Sequence, residues 1–131
     1  MSLLGEKPVK FIDSNVLIYA FYDNPFQDNC RNCIRQGGIT NALNLAEFLT
    51  ILENKTNRTL AMSALKGLLR SNVKIVEVDV NVIFEALKRS NNLRLDFFDL
   101  IHYATAILND CESILSYDKD FDKLEIKREE P

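Results

Sequence analysis

The 131-residue chain has few of the residues that mark disulfide-rich, zinc-thiolate or fibrous proteins. It contains three cysteines, four glycines, three prolines, one histidine and no tryptophan. So little glycine and proline excludes collagen-like and low-complexity organisation. Cys30 and Cys33 form a CxxC pair, but with Cys111 they do not supply the four thiolates of a structural zinc site. We therefore expect three free thiols packed inside the protein.

Long hydrophobic runs are also missing. No run of about 18 apolar residues occurs, so the sequence does not predict a membrane-spanning helix. The first eight residues, MSLLGEKP, lack the apolar core of a signal peptide, and we expect a cytoplasmic protein with no membrane partner. With 47% hydrophobic and 27% charged residues, the composition is typical of one globular domain spanning residues 1–131.

Excess positive charge is absent as well. The 16 basic and 19 acidic residues give a formal net charge of −3, which does not by itself indicate nucleic-acid binding. A few clustered carboxylates can nevertheless dominate this sum while basic residues lie elsewhere on the surface. The positions of the acidic residues therefore matter more than their number.

Strand-like and helix-like segments alternate along most of the chain. The predicted strands are residues 9–12, 39–40, 73–78, 113–116 and, more weakly, 124–127. The predicted helices are residues 26–36, 42–54, 59–70, 80–90 and 97–109, and an apolar segment at 16–22 continues from the first strand into a helix. Asn41, Asp79 and Asp96 are suitable N-caps. This alternation predicts a three-layer α/β/α sandwich around a mostly parallel sheet.

Two acidic residues directly follow predicted strands. Asp13 follows the first strand, and Asp118 follows the strand at 113–116, with Asp120 two residues further on. Ligands of open α/β sheets bind beyond the carboxyl ends of the strands, so both positions suit a metal ligand. Asp13 could instead cap the next helix, and the acidic run could be a solvated turn.

Two more acidic residues lie on predicted helices among apolar neighbours. Glu47 is flanked at i−4 and i+4 by Leu43 and Ile51, a costly place for an unpaired carboxylate. In the last long helix, Asp99, His102 and Thr105 form a single polar stripe. Asp96 and Asp99 also suit a capping box. The lone His102 is typical of a hydrogen-bonded core residue rather than a ligand.

Four carboxylates gathered in one pocket would raise each other's pKa values unless a cation neutralised them. Oxygen ligands favour the hard ions Mg²⁺ or Mn²⁺, which assist phosphodiester hydrolysis. The pattern contains no Ser-His-Asp set, no cysteine nucleophile with a partner base and no glycine-rich phosphate loop. Metal-assisted phosphodiester hydrolysis is therefore the chemistry that the residues favour.

Four ordered motifs give the chain a resemblance to PIN domains. They are residues 11–18 (FIDSNVLI), 44–47 (NLAE), 99–106 (DLIHYATA) and 114–121 (ILSYDKDF), in the order of the family. Each motif alone is weak, but the ordered set spans nearly the whole chain. The compact size resembles that of VapC-type toxins from prokaryotic toxin–antitoxin pairs. Ser116 stands where this family frequently has Thr, and Asp96 is an additional acid near the third motif.

The resemblance implies a PIN-like fold and a Mg²⁺- or Mn²⁺-dependent ribonuclease that cleaves single-stranded RNA. It implies that Asp13, Glu47, Asp99 and Asp118 are the catalytic acids and metal ligands, with Asp96 and Asp120 as weaker candidates. Ser14, Asn15 and Ser116 would support them. It also implies a homodimer and inhibition by a small antitoxin protein. Lys55, Arg58, Arg94 and Lys119 are candidates for contact with the RNA backbone.

Two other functions remain open at this point. A phosphotransfer domain could use Asp13 as its nucleophile, although Asn15 stands where a phosphatase of that kind has a second Asp. A catalytically silent interaction module could use the apolar helices to bind a partner. The complete set of carboxylates argues against the silent module.

Overall fold

The computed structural model describes residues 8–131, which form five strands and six α-helices. The strands are β1 (Lys10–Ile12), β2 (Gly38–Asn41), β3 (Val73–Val76), β4 (Ser113–Leu115) and β5 (Lys127–Glu129). The helices are α1 (Ser14–Tyr19), α2 (Gln27–Gln36), α3 (Ala42–Lys55), α4 (Arg58–Leu69), α5 (Val80–Arg89) and α6 (Phe97–Leu108). A short 3₁₀ helix covers Lys119–Phe121.

All five strands are parallel and lie in the order β3-β2-β1-β4-β5. The chain builds the sheet outward from β1 through β2 to β3, and then returns to place β4 on the other side of β1. This reversal makes the β1–β4 edge a topological switch point, where the loops after the two strands diverge and leave a crevice. Ile12 lies opposite Leu115 at the carboxyl ends of the two strands.

Helices cover both faces of the sheet, as the predicted three-layer sandwich requires. On one face, Ile12 packs in a core cluster with residues of α1 to α4, including the fully buried Phe48. On the other face, Phe11 packs with Tyr103 of α6. Neighbouring residues of a strand point to opposite faces, so β1 contributes to both cores.

Most element ends agree with the sequence-based prediction. Asn41, Asp79 and Asp96 cap α3, α5 and α6, each accepting a hydrogen bond from a backbone N–H. The three cysteines are free and buried, as expected. None of the helices within residues 8–131 is long and apolar enough to cross a membrane.

The prediction was wrong at two strands. The last strand is Lys127–Glu129 and not residues 124–127, because Ile126 and Leu124 pack in the core on the α6 side. The third strand ends at Val76, two residues before the predicted end. Although α6 is apolar apart from its polar stripe, Phe97 and Phe98 in its first turn are 45% and 59% exposed.

Candidate active site

Asp13 is held at the carboxyl end of β1 by donors from the start of α1 and from the loop after β4. Its Oδ1 accepts the backbone N–H of Ser14 at 2.8 Å, so the residue caps α1. Its Oδ2 accepts the Ser116 hydroxyl at 2.7 Å and the Asn15 amide at 3.3 Å. Only 5% of Asp13 is exposed. Capping α1 does not exclude a place in the candidate site, because the capping carboxylate lies at the carboxyl end of β1 and also bonds the loop after β4.

The Ser116 hydroxyl joins the loop after β4 to the loop after β1. It donates to Asp13 and accepts hydrogen bonds from the backbone N–H of Asp118 at 3.0 Å and from Asn15 Nδ2 at 3.2 Å. Ser116 is fully buried. The geometry therefore places Asn15 and Ser116 in contact with the acidic residues that they were predicted to support.

Three carboxylates approach one another beside this pair of loops. Asp99, Asp118 and Asp120 each offer an oxygen, and these oxygens lie within 4.8 Å of one another. Asp99 is in the first turn of α6, and Asp118 caps the 3₁₀ helix by accepting the backbone N–H of Asp120 at 2.9 Å. Asp96 accepts the backbone N–H of Asp99 at 2.8 Å and acts as the α6 cap.

Glu47 reaches the same region from α3. Its Oε2 accepts the Ser14 hydroxyl at 3.2 Å, and its Oε1 lies 3.4 Å from His102 Nε2. About 31% of the Glu47 side chain is exposed. The Glu47 carboxylate is therefore held by Ser14 and His102 on the side that faces the protein, while its other side is exposed to solvent. Ser14, predicted as a supporting residue, contacts both Asp13 through its backbone and Glu47 through its hydroxyl.

Burial, neighbouring charges and hydrogen bonds shift the pKa values of the acidic residues in different directions. Burial, together with the negative charges of Asp96, Asp13 and Asp118, raises the pKa of Asp99 to about 7. Burial also raises the pKa of Asp13, although the Ser116 hydrogen bond acts in the opposite direction. The pKa of Glu47 is lowered, chiefly by its hydrogen bond to His102.

The structure thus brings together side chains that are far apart in the sequence. Asp13, Glu47, Asp99 and Asp118 come from the β1 end, α3, α6 and the β4 end. Asp120, which the sequence ranked lower, belongs to the tight cluster. Its spacing is the signal that could have raised its rank, because Asp120 lies two residues after Asp118, which caps the short 3₁₀ helix by accepting the Asp120 backbone N–H.

The donor set fits a hard divalent cation. All of the clustered donors are carboxylate oxygens, which Mg²⁺ and Mn²⁺ prefer, and no thiol contributes to the cluster. The raised pKa of Asp99 indicates the electrostatic cost that a cation would offset. Asp99, Asp118 and Asp120 could therefore hold such an ion.

The basic residues predicted to contact RNA differ in their contacts with other side chains of the protein. Arg58 forms a two-pronged ion pair with Glu53, through bonds of 2.7 and 3.1 Å. The Lys55 ammonium lies 5.5 Å from the centre of the Tyr22 ring. Lys119 and Arg94 are exposed.

Solved structures with similar folds include toxins and toxin–antitoxin complexes. VapC20 of Mycobacterium tuberculosis, described as a sarcin-ricin loop cleaving toxin, has a TM-score of 0.76 and 16% identity over 93% of this chain and 99% of its own. A toxin–antitoxin complex from Klebsiella pneumoniae has a TM-score of 0.70 and 16% identity, over 88% of this chain and 92% of its own. FitAcB from Neisseria gonorrhoeae has a TM-score of 0.69 and 15% identity, over 92% of this chain and 96% of its own. At sequence identities this low, the structural similarity shows the fold alone.

No curated protein sequence matches the chain. A family model, described as PIN domain, matches residues 10–127. The matched span contains strands β1 to β4, the first residue of β5, and every acidic residue of the candidate site. The order of the four motifs, the parallel sheet and this match agree, and the chain belongs to the PIN domain family.

Proposed function

We propose that the protein is a divalent-metal-dependent ribonuclease that cleaves phosphodiester bonds of single-stranded RNA. The observation that supports this most strongly is the meeting of Asp99, Asp118 and Asp120 within 4.8 Å, beside an Asp13 that the Ser116 hydroxyl joins to the Asp118 loop. Within residues 8–131 these three carboxylates form no ion pair, and concentrated carboxylates without a basic partner suit a hard cation better than any other ligand.

In this proposal Asp99, Asp118 and Asp120 hold Mg²⁺ or Mn²⁺, with Asp13 and Glu47 completing the acidic site. Such an ion neutralises charge on a phosphodiester and activates water for its displacement. Asp13 is fixed by three donors, which orient its carboxylate. Glu47 has a lowered pKa, so it is ionised at neutral pH and can accept a proton or orient a water molecule from its exposed side.

The same proposal includes a biological setting as a toxin. A homodimer as the working form of the chain is a further part of the proposal. One structure with a similar fold is a toxin–antitoxin complex, which supports a small antitoxin protein as a partner of this chain. In that case expression of the wild-type chain slows bacterial growth, expression of Asp99→Asn does not, and a small adjacent open reading frame restores growth. Equal growth with both chains would contradict the toxin assignment.

RNA cleavage by matched variants tests the enzymatic part. We expect Mn²⁺-dependent cleavage of a single-stranded RNA by the wild-type protein, and none by Asp13→Asn or Asp99→Asn, whose circular dichroism spectra stay native. Asp23→Asn removes one negative charge from an exposed turn and serves as the control. Full activity in both site variants would contradict the assignment.

The buried environment of Asp13 does not favour the phosphotransfer alternative. Both of its oxygens already accept hydrogen bonds, and only 5% of the residue is exposed, whereas a nucleophile must reach an incoming phosphoryl group. Trapping of a phosphoryl-aspartate on this residue would reverse that preference. A silent interaction module is tested by Mn²⁺ titration, because a site that has lost its activity is expected to bind the ion poorly.

A further inference from the structure

A fully enclosed group of polar side chains lies beneath Glu47. Asn41, at the start of α3, and Thr105, on α6, are 0% exposed, and His102, also on α6, is 1% exposed. The His102 ring packs against Phe11, with ring centroids 5.9 Å apart. Buried polar groups are costly unless their hydrogen bonds are satisfied, so the direction of each bond can be worked out.

Three contacts fix which way the Asn41 amide points. Its Oδ1 accepts the backbone N–H of Asn44 at 2.8 Å and so caps α3. The Thr105 hydroxyl donates to the Ile101 carbonyl at 2.8 Å, so its oxygen accepts from Asn41 Nδ2 at 2.9 Å. A flipped amide would lose both contacts. Asn41 Nδ2 is therefore the atom that faces His102.

The orientation of this amide determines the tautomer of His102. Asn41 Nδ2 lies 3.1 Å from His102 Nδ1, and an amide nitrogen can only donate, so Nδ1 accepts. An imidazole that accepts at Nδ1 has its proton on Nε2. That nitrogen is 3.4 Å from Glu47 Oε1, so it donates to the carboxylate.

We propose that His102 is a positioning residue whose Nε2–H, fixed by Asn41, holds Glu47 in its orientation at the candidate active site. The inference rests on the proposed function, because it gives Glu47 a place in that site. The His102 donor acts on Oε1 while Ser14 acts on Oε2. A glutamate is a flexible side chain, and two donors on its protein side reduce the conformational entropy lost when it engages a cation or a water molecule.

Nuclear magnetic resonance of the single histidine tests the tautomer directly. The chain contains one histidine, so a long-range ¹H–¹⁵N spectrum of the metal-free protein, prepared without a histidine tag, shows one imidazole. We expect an unprotonated Nδ1 and a protonated Nε2. A protonated Nδ1 in the wild-type protein would overturn the inference, whether or not the protein cleaves RNA.

Asn41→Asp is the variant that tests the cause of this tautomer. Aspartate keeps the side-chain volume and the oxygen that caps α3, but it has no N–H to donate to His102. We expect Nδ1 to become protonated in this variant, while its circular dichroism spectrum stays native. An unprotonated Nδ1 in Asn41→Asp would show that Asn41 does not set the tautomer.

Mn²⁺ affinity, measured by calorimetry, tests the positioning role. Replacing a side chain that orients a ligand lowers metal affinity by about 10–100-fold, and we expect this loss in His102→Leu. His102→Gln, whose amide can still donate towards Glu47, should recover most of the affinity. Equal affinity in the wild-type and Leu variants, or equal loss in both variants, would overturn the positioning role. Failure of the wild-type protein to cleave RNA would instead count against the proposed function.

Discussion

Replacing Asp99 by asparagine should make the metal-free protein more stable while it weakens the metal site. The carboxylate of Asp99 is mostly buried, and this burial, together with the charges of Asp96, Asp13 and Asp118, raises its pKa from 3.8 to about 7. An asparagine of nearly equal shape carries no charge, so it removes this repulsion. Function and stability therefore oppose each other at this position, as is common where acidic residues are gathered for catalysis.

The size of the effect follows from the change in pKa. A rise of about three pKa units corresponds to about 4 kcal/mol, and because the side chain is partly exposed, solvent screening reduces this to about 2 kcal/mol. For a domain of this size, that gain raises the melting temperature by about 7 °C. Thermal unfolding in the presence of EDTA at pH 7.5, followed by circular dichroism, measures it, with Asp23→Asn as the control.

The pH dependence of this difference has a definite sign. The pKa of Asp99 is higher in the folded state than in the unfolded state, so folding is favoured by its protonated form at low pH. This contribution is complete below about pH 4 and is lost as the pH rises through about 7. The stability difference between Asp99→Asn and the wild-type protein should therefore be small at pH 4.5 and constant above pH 7.5. If the melting temperature of the variant at pH 7.5 were equal to or below that of the wild-type protein, the Asp99 carboxylate would not be destabilising.

Three further substitutions test contacts within the fold. Ser116→Ala removes the hydroxyl that bonds Asp13, Asn15 and the Asp118 backbone, and we expect it to lower the free energy of urea unfolding by about 1–3 kcal/mol, while exposed Ser63→Ala changes it little. Gly38→Ala places a methyl group 2.7 Å from the Lys10 carbonyl oxygen and should destabilise the β1–β2 pair by about 1–3 kcal/mol. Gly67→Ala, whose methyl group meets Phe21 at an ordinary 3.8 Å on α4, should instead be stabilising by about 0.5–1 kcal/mol. A similar effect of both glycine substitutions would contradict the close approach of the backbones.

The sequence predicted the parts of the site that depend on local pattern. Asp13 and Asp118 could be placed because each follows a short apolar strand, and parallel strands present their carboxyl ends at one edge of the sheet. Asp96 could be recognised as a cap because its position before an apolar helix has a clear local signature. These inferences needed no knowledge of how the helices pack.

Features that depend on tertiary packing were less predictable. Asn41 was expected only to cap α3, and its second contact with His102 exists because α6 crosses close to the end of β2. The last strand was misplaced because Ile126, which looks like a strand residue, instead packs in the core on the α6 side. In both cases a distant element decides between two locally acceptable structures.

The metal site can be located by soaking a crystal of the protein in Mn²⁺ and computing an anomalous difference map. We expect a strong peak among the carboxylates of Asp99, Asp118 and Asp120, on the side that faces Asp13. The peak should disappear in Asp99→Asn crystals soaked in the same way. A fully soaked wild-type crystal with no peak at this position, or with peaks only elsewhere, would show that these carboxylates do not form the metal site.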